Sequence, residues 1–187
     1  EAERIAAAMA AAGGRHFVTA PVADLADWYR PELDDAAWAE LLANLDRVDA
    51  ICTRHGLVQV VHPHVDTVIE NAADFERFLA GTSTRFCFDI GHLTIGGADV
   101  VEVARRHHER VGIVHLKDVD GAVAERLRAG ELSLMEATFA GLAGMGDRAS
   151  DGRRPHRPVP AVRLAADPVV AAGAGSEGRP RRGDLHR

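Results

Sequence analysis

The sequence predicts an α/β fold on a parallel sheet, part of a (β/α)8 barrel. Three hydrophobic runs, residues 57–61, 86–88 and 111–114, each end in metal-capable residues: His62-Pro63-His64, Asp89-Ile90-Gly91-His92 and His115-Leu116-Lys117-Asp118. They recur about 25 to 30 residues apart with helical patterns between them, as parallel strands do when they deliver side chains to one rim. Four strands in about 100 residues set a pace that gives eight in roughly the 250 of a full barrel. A doubly wound open sheet shares the alternation, but no Gly-x-Gly-x-x-Gly turn follows any of these strands.

Each element has its own signal. Residues 1–12 form an Ala-rich helix that stops at Gly13-Gly14. Residues 16–20, β-branched and aromatic and followed by Pro21, read as a buried strand. After a loop at 31–35, Asp34 or Asp35 caps a helix whose Trp38, Leu41, Leu42 and Leu45 make one apolar stripe. That helix ends at Gly56, and strand 57–61 follows. A helix carrying Phe75, Phe78 and Leu79 ends at Gly81, strand 86–88 comes next, and a helix over about 98–110 leads to strand 111–114. Asp118 and Asp120 cap the helix after it. Ser133 and Glu136 then form a capping box for a helix burying Met135, Thr138, Phe139 and Leu142.

The character changes near Ala143. Residues 145–187 hold no Phe, Trp or Tyr, five of the eight Pro, and nine Arg against five Asp or Glu. The expected division is a barrel domain over 1–144 and an irregular Arg/Pro/Gly/Ala-rich tail over 145–187, disordered or translated out of frame. The body keeps 13 basic and 23 acidic residues, which argues against a nucleic-acid partner. No apolar stretch is long enough for a membrane helix. Cys52 and Cys87 sit in apolar segments as free thiols, which fits a reducing cytoplasm. A homo-oligomer stays open.

Chemistry concentrates at the three strand ends. His62 and His64 are two apart, so an extended backbone points both to one face, and His115 and Lys117 stand in the same relation. Taken singly, each His reads as an ordinary satisfied side chain. His62, Asp89 and His115 together read as a metal or catalytic centre, because imidazoles with a carboxylate suit a divalent ion. The Asp89–His92 stretch also reads as a plain turn, with Gly91 permitting a sharp bend. Lys117 is the only Lys among 22 basic residues, and its place after an apolar strand suits a substrate contact or acid–base group. His107-His108 reads as solvated surface.

The strings His62-Pro63-His64-Val65-Asp66-Thr67 with Glu70, Phe88-Asp89-Ile90-Gly91-His92-Leu93 with Gly96-Gly97, and Val114-His115-Leu116-Lys117-Asp118-Val119 resemble the xylose-isomerase-like TIM-barrel superfamily of sugar isomerases and epimerases, and within it the inosose dehydratase-like branch. The resemblance runs from about His16 to Leu142. It implies barrel strands four to seven, with Asp89, His115 and His62 as ligands of a divalent metal, Mn²⁺ or Co²⁺ first, Zn²⁺ or Mg²⁺ next. It assigns His92 and Lys117 to catalysis, and His64, Glu70 and Lys117 to substrate. It further implies a lyase removing water from a keto-inositol, with isomerase or epimerase chemistry, or an inactive truncated fragment, as alternatives. DNA-repair endonucleases share the superfamily but use more metal ligands and a more basic surface. Asp66 departs from the pattern, which has Gly there. On this comparison strands one to three and a strand-eight Glu are missing. Residues 169–175 can be encoded so that a shift of one base reads Trp-Trp-Leu-Leu-Glu-Gln, which is the basis for expecting an out-of-frame tail.

Overall fold

The computed structural model describes residues 1–24 and 29–140. Four strands, β1 (His16–Thr19), β2 (Val58–Val61), β3 (Arg85–Asp89) and β4 (Val111–His115), form one sheet in the order β1-β2-β3-β4 with every neighbour parallel. Helices α1 (Ala2–Ala11), α2 (Asp35–Arg54), α3 (Ala72–Gly81), α4 (Ile90–Ile95), α5 (Val100–His107), α6 (Gly121–Arg128) and α7 (Leu134–Phe139) alternate with them. The predicted parallel α/β order is present. The tail and Leu142 lie outside the described residues.

Helix starts follow their caps. The Asp34 side chain accepts from the Ala37 N–H at 2.8 Å and starts α2. Asn71 and Asp74 form a reciprocal capping box at α3. The Asp74 carboxylate is also gripped by Arg30 through two hydrogen bonds, 2.8 and 3.0 Å, which pins the 29–33 loop to that helix. Ser133 and Glu136 make the predicted box at α7. The predicted buried face of α7 is not observed: Ala137 is inside, while Met135 and Phe139 are exposed. A six-residue helix with apolar side chains on several sides does not fix its own rotation, and here the small Ala takes the packed position.

The main core lies between the sheet and α2, α3 and α5. It joins Trp38, Leu45, Val61, Phe75, Phe78, Phe86 and Phe88. Phe17 enters a second cluster with Ala6, Cys52 and Leu57 beneath α1 and α2. Side chains alternate along a strand, so Val18, Val58, Val60, Cys87 and Asp89 face the other side of the sheet.

One irregularity decides what meets at the rim. Phe86 pairs with Val111, but Cys87 pairs with Ile113, so Gly112 is an extra residue bulging out of β4. Uninterrupted pairing would set Asp89 beside Val114. The bulge sets it beside His115, on the same face. A Cβ at position 112 would stand 2.6 Å from Val60 Cγ2, so a side chain does not fit there without a shift.

Candidate metal centre

The strand ends bring the predicted residues together. Asp89 is the last residue of β3, His115 the last of β4, and His62 follows the last residue of β2. The Asp89 side chain is 0% exposed, and both of its carboxylate oxygens accept hydrogen bonds. Its Oδ1 accepts the His92 N–H at 3.0 Å and so caps α4. Its Oδ2 accepts from His62 Nε2 at 3.2 Å, from His115 Nδ1 at 3.0 Å and from Lys117 Nζ at 2.8 Å. Burial by itself would raise the Asp89 pKa. The hydrogen bonds from His62, Lys117 and the His92 backbone outweigh it and hold the carboxyl well below the usual range.

Four imidazoles crowd this carboxylate. The His62 ring meets His64, His92 and His115 edge-on, with centroids 5.3, 5.4 and 4.9 Å away. His64 and His92 pack with their centroids 3.6 Å apart and their ring planes tilted by 36°. The His64 Nδ1–H donates to the Val65 carbonyl at 2.7 Å, and the Val65 N–H donates to His92 Nδ1 at 3.4 Å. Burial lowers the pKa of His64 and pushes His92 down to about 3. Burial thus disfavours the imidazolium form of His92, and Lys117 Nζ is the amine nitrogen that contacts Asp89 directly.

Glycine serves clearance here. The sequence suggested that Gly91 permits a sharp bend. It lies in regular helix α4, and a Cβ on it would come within 2.8 Å of Lys117 Cδ. Glu70, expected at the substrate, has its Oε2 accepting the Asp66 N–H at 2.7 Å. Asp66 has φ +62, the left-handed region that explains a Gly at this place in the family pattern and that Asp tolerates better than most residues. His107, expected on the surface, has its Nε2 buried without a partner, in a cleft of about 110 Å³ lined also by Glu76, Asp99 and Glu102.

Two compact donor sets occur among the described residues: His62, Asp89 and His92, and His62, Cys87 and His115. In each, one donor atom per residue lies within 4.8 Å of the others. Imidazole nitrogens with a carboxylate or a thiolate fit a divalent ion of the Mn²⁺, Co²⁺ or Zn²⁺ type. The sequence reading passed over Cys87. Its position two residues before Asp89 on the same strand face was the available signal.

A xylose isomerase-like TIM-barrel family model matches residues 1–157. The chain belongs to that family. Among curated relatives, the inosose dehydratase of Geobacillus kaustophilus is 35% identical over 113 residues, 59% of this chain and 37% of that protein. The rhizopine catabolism protein MocC of Rhizobium meliloti is 32% identical over 115 residues, 60% of this chain and 35% of its own. The chain thus spans well under half the length of these family members. The probable 3-DHS dehydratase AsbF of Bacillus anthracis shares the fold at TM-score 0.57 and 13% identity, over 67% of this chain and 46% of that one. The IOLI protein, solved with a binding zinc atom, does so at TM-score 0.51 and 11% identity, over 64% and 43%.

Proposed function

We propose that the family protein to which these residues belong is a metal-dependent lyase removing water from a keto-inositol or a similar polyhydroxylated ketone. The observation that carries this is the convergence of His62, His115 and Lys117 on one buried oxygen of Asp89. The inosose dehydratase relatives support the substrate class.

His62, Asp89 and His115 hold the ion on this reading, Mn²⁺ first. The bound ion supplies Lewis-acid polarisation of the ketone oxygen and its neighbouring hydroxyl. A base of the family barrel takes the α-proton, the C–H electron pair forms the enol double bond, and Lys117, turning from Asp89 toward substrate, gives a proton to the β-hydroxyl, which departs as water. His64 and His92, packed ring against ring where burial disfavours charge on both, line the site, with His64 offering a hydrogen bond to substrate hydroxyls. Glu70 acts one step removed, by bracing the loop that carries both His62 and His64. Two free buried thiols suit a reducing compartment such as the cytoplasm.

The test is turnover of a keto-inositol by the metal-loaded protein with the rest of its barrel present. Dehydration that falls at least about 100-fold in Lys117→Met with metal content unchanged supports the assignment. Epimerised or isomerised product would move it to the isomerase alternative, which begins with the same α-proton abstraction. No turnover of any inosose or ketose would refute it.

A further inference from the structure

We propose that Cys87 is a sulfur ligand in reserve, so that thiophilic ions bind through His62, Cys87 and His115 while hard ions bind through the Asp89 carboxylate. The inference rests on the metal centre proposed above and concerns which donors each ion takes.

The geometry comes from β3. Phe86 and Phe88 enter the helix-side core, so Cys87 between them faces the other way, as Asp89 does. Cys87 therefore lies under Asp89, one strand repeat deeper, about 7 Å along the backbone. The β4 bulge brings His115 level with Asp89 and Ile113 level with Cys87. His62 crosses both layers, and its ring belongs to both donor sets. Cys87 Sγ and the nitrogens of His62 and His115 already lie within 4.8 Å of one another. Tetrahedral ligands at zinc bond lengths of about 2.0 Å to nitrogen and 2.3 Å to sulfur sit roughly 3.5 Å apart, so closing on an ion takes side-chain shifts of about an ångström.

Chemistry sorts the two sets. Carboxylate oxygen suits Mn²⁺ and Mg²⁺, and thiolate suits Zn²⁺, Co²⁺ and Cd²⁺. Binding through Cys87 breaks its S–H bond, forms the sulfur–metal bond and releases one proton to solvent, with no change in oxidation state. The second thiol, Cys52, is carried by α2 and buried against Ala6, Phe17 and Leu57, so it serves as an internal control.

The experiment titrates the whole chain with Co²⁺, Cd²⁺ and Mn²⁺ separately. Co²⁺ should bring a sulfur-to-cobalt charge-transfer band in the near ultraviolet, present in Cys52→Ala and absent in Cys87→Ser. Cys87→Ser should weaken Cd²⁺ by at least about tenfold while changing Mn²⁺ less than about threefold. Should that variant fold poorly, the ¹¹³Cd resonance of the unsubstituted chain decides alone: a shift in the thiolate range supports the proposal, and one in the nitrogen–oxygen range overturns it. Co²⁺ bound at one per chain without the band overturns the Cys87 assignment and leaves the metal centre standing. No binding of any of the three ions overturns both.

Discussion

Asp89 accepts one hydrogen bond on one oxygen and three on the other, with no water-accessible surface to share the charge. Replacing it with Asn keeps the cap on α4 but leaves Lys117 and two imidazoles without an anion. Lys117 remains 39% exposed and can turn to water, which reduces the penalty. Asp89→Asn should cost about 1–3 kcal/mol in chemical denaturation, and an unchanged midpoint would contradict the geometry. The same cluster sets a pH dependence. His92 is depressed from 6.5 to about 3 by burial, so between those values the unfolded chain binds a proton that the folded chain refuses. Stability from this group is full above 6.5 and is lost as pH falls toward 3. Asp89 adds loss in the same direction, below its ordinary carboxylate value. The melting temperature should therefore fall steadily from pH 6.5 to 3, with a shallower slope in His92→Phe. Equal slopes in both proteins would assign the loss elsewhere. These residues were legible in the sequence as polar ends of apolar runs. Their charge states were not, because burial and neighbours set them.

Elements show where local pattern stops informing. Strands β1 to β4 and the caps of α2 and α7 could be read from residue type, because alternation and Ser/Asp caps are local signals. The short α4 could not, since Ile90-Gly91-His92 reads equally as a turn and becomes helix only when Asp89 caps it. Nor could the bulge at Gly112, which looks like any Gly inside a strand. That bulge decides whether His115 or Val114 meets Asp89. Gly112→Val should overpack against Val60, cost about 1–3 kcal/mol and weaken metal binding by misplacing His115. If Gly112→Val binds Mn²⁺ as the unaltered chain does, the register argument fails. Asp66→Gly removes a left-handed non-glycine at φ +62 and should leave thermal stability equal or higher, whereas Asp66→Val should lower it by about 1 kcal/mol or more.

At the scale of the whole molecule, the four described strands carry a helix-packed core on one face only. On the other, Val60 and Cys87 are buried but Val18 is 43% and Val58 is 39% exposed, and β1 and β4 are the edges of the described sheet. Apolar surface beside open edges invites association. The chain by itself should sediment as oligomers or aggregate rather than as a monomer, and a monodisperse monomer that binds no apolar dye would contradict this. The sequence showed the parallel order but not this exposure, which depends on which strand faces find a covering layer. The rim of β2, β3 and β4 holds the proposed ligands within this chain. Calorimetric titration of the chain with Mn²⁺ tests that claim most directly. One ion should bind per chain, with His62→Ala, Asp89→Asn and His115→Ala each weakening it by about tenfold or more. Binding that survives all three substitutions unchanged, or no binding at all, would contradict the account.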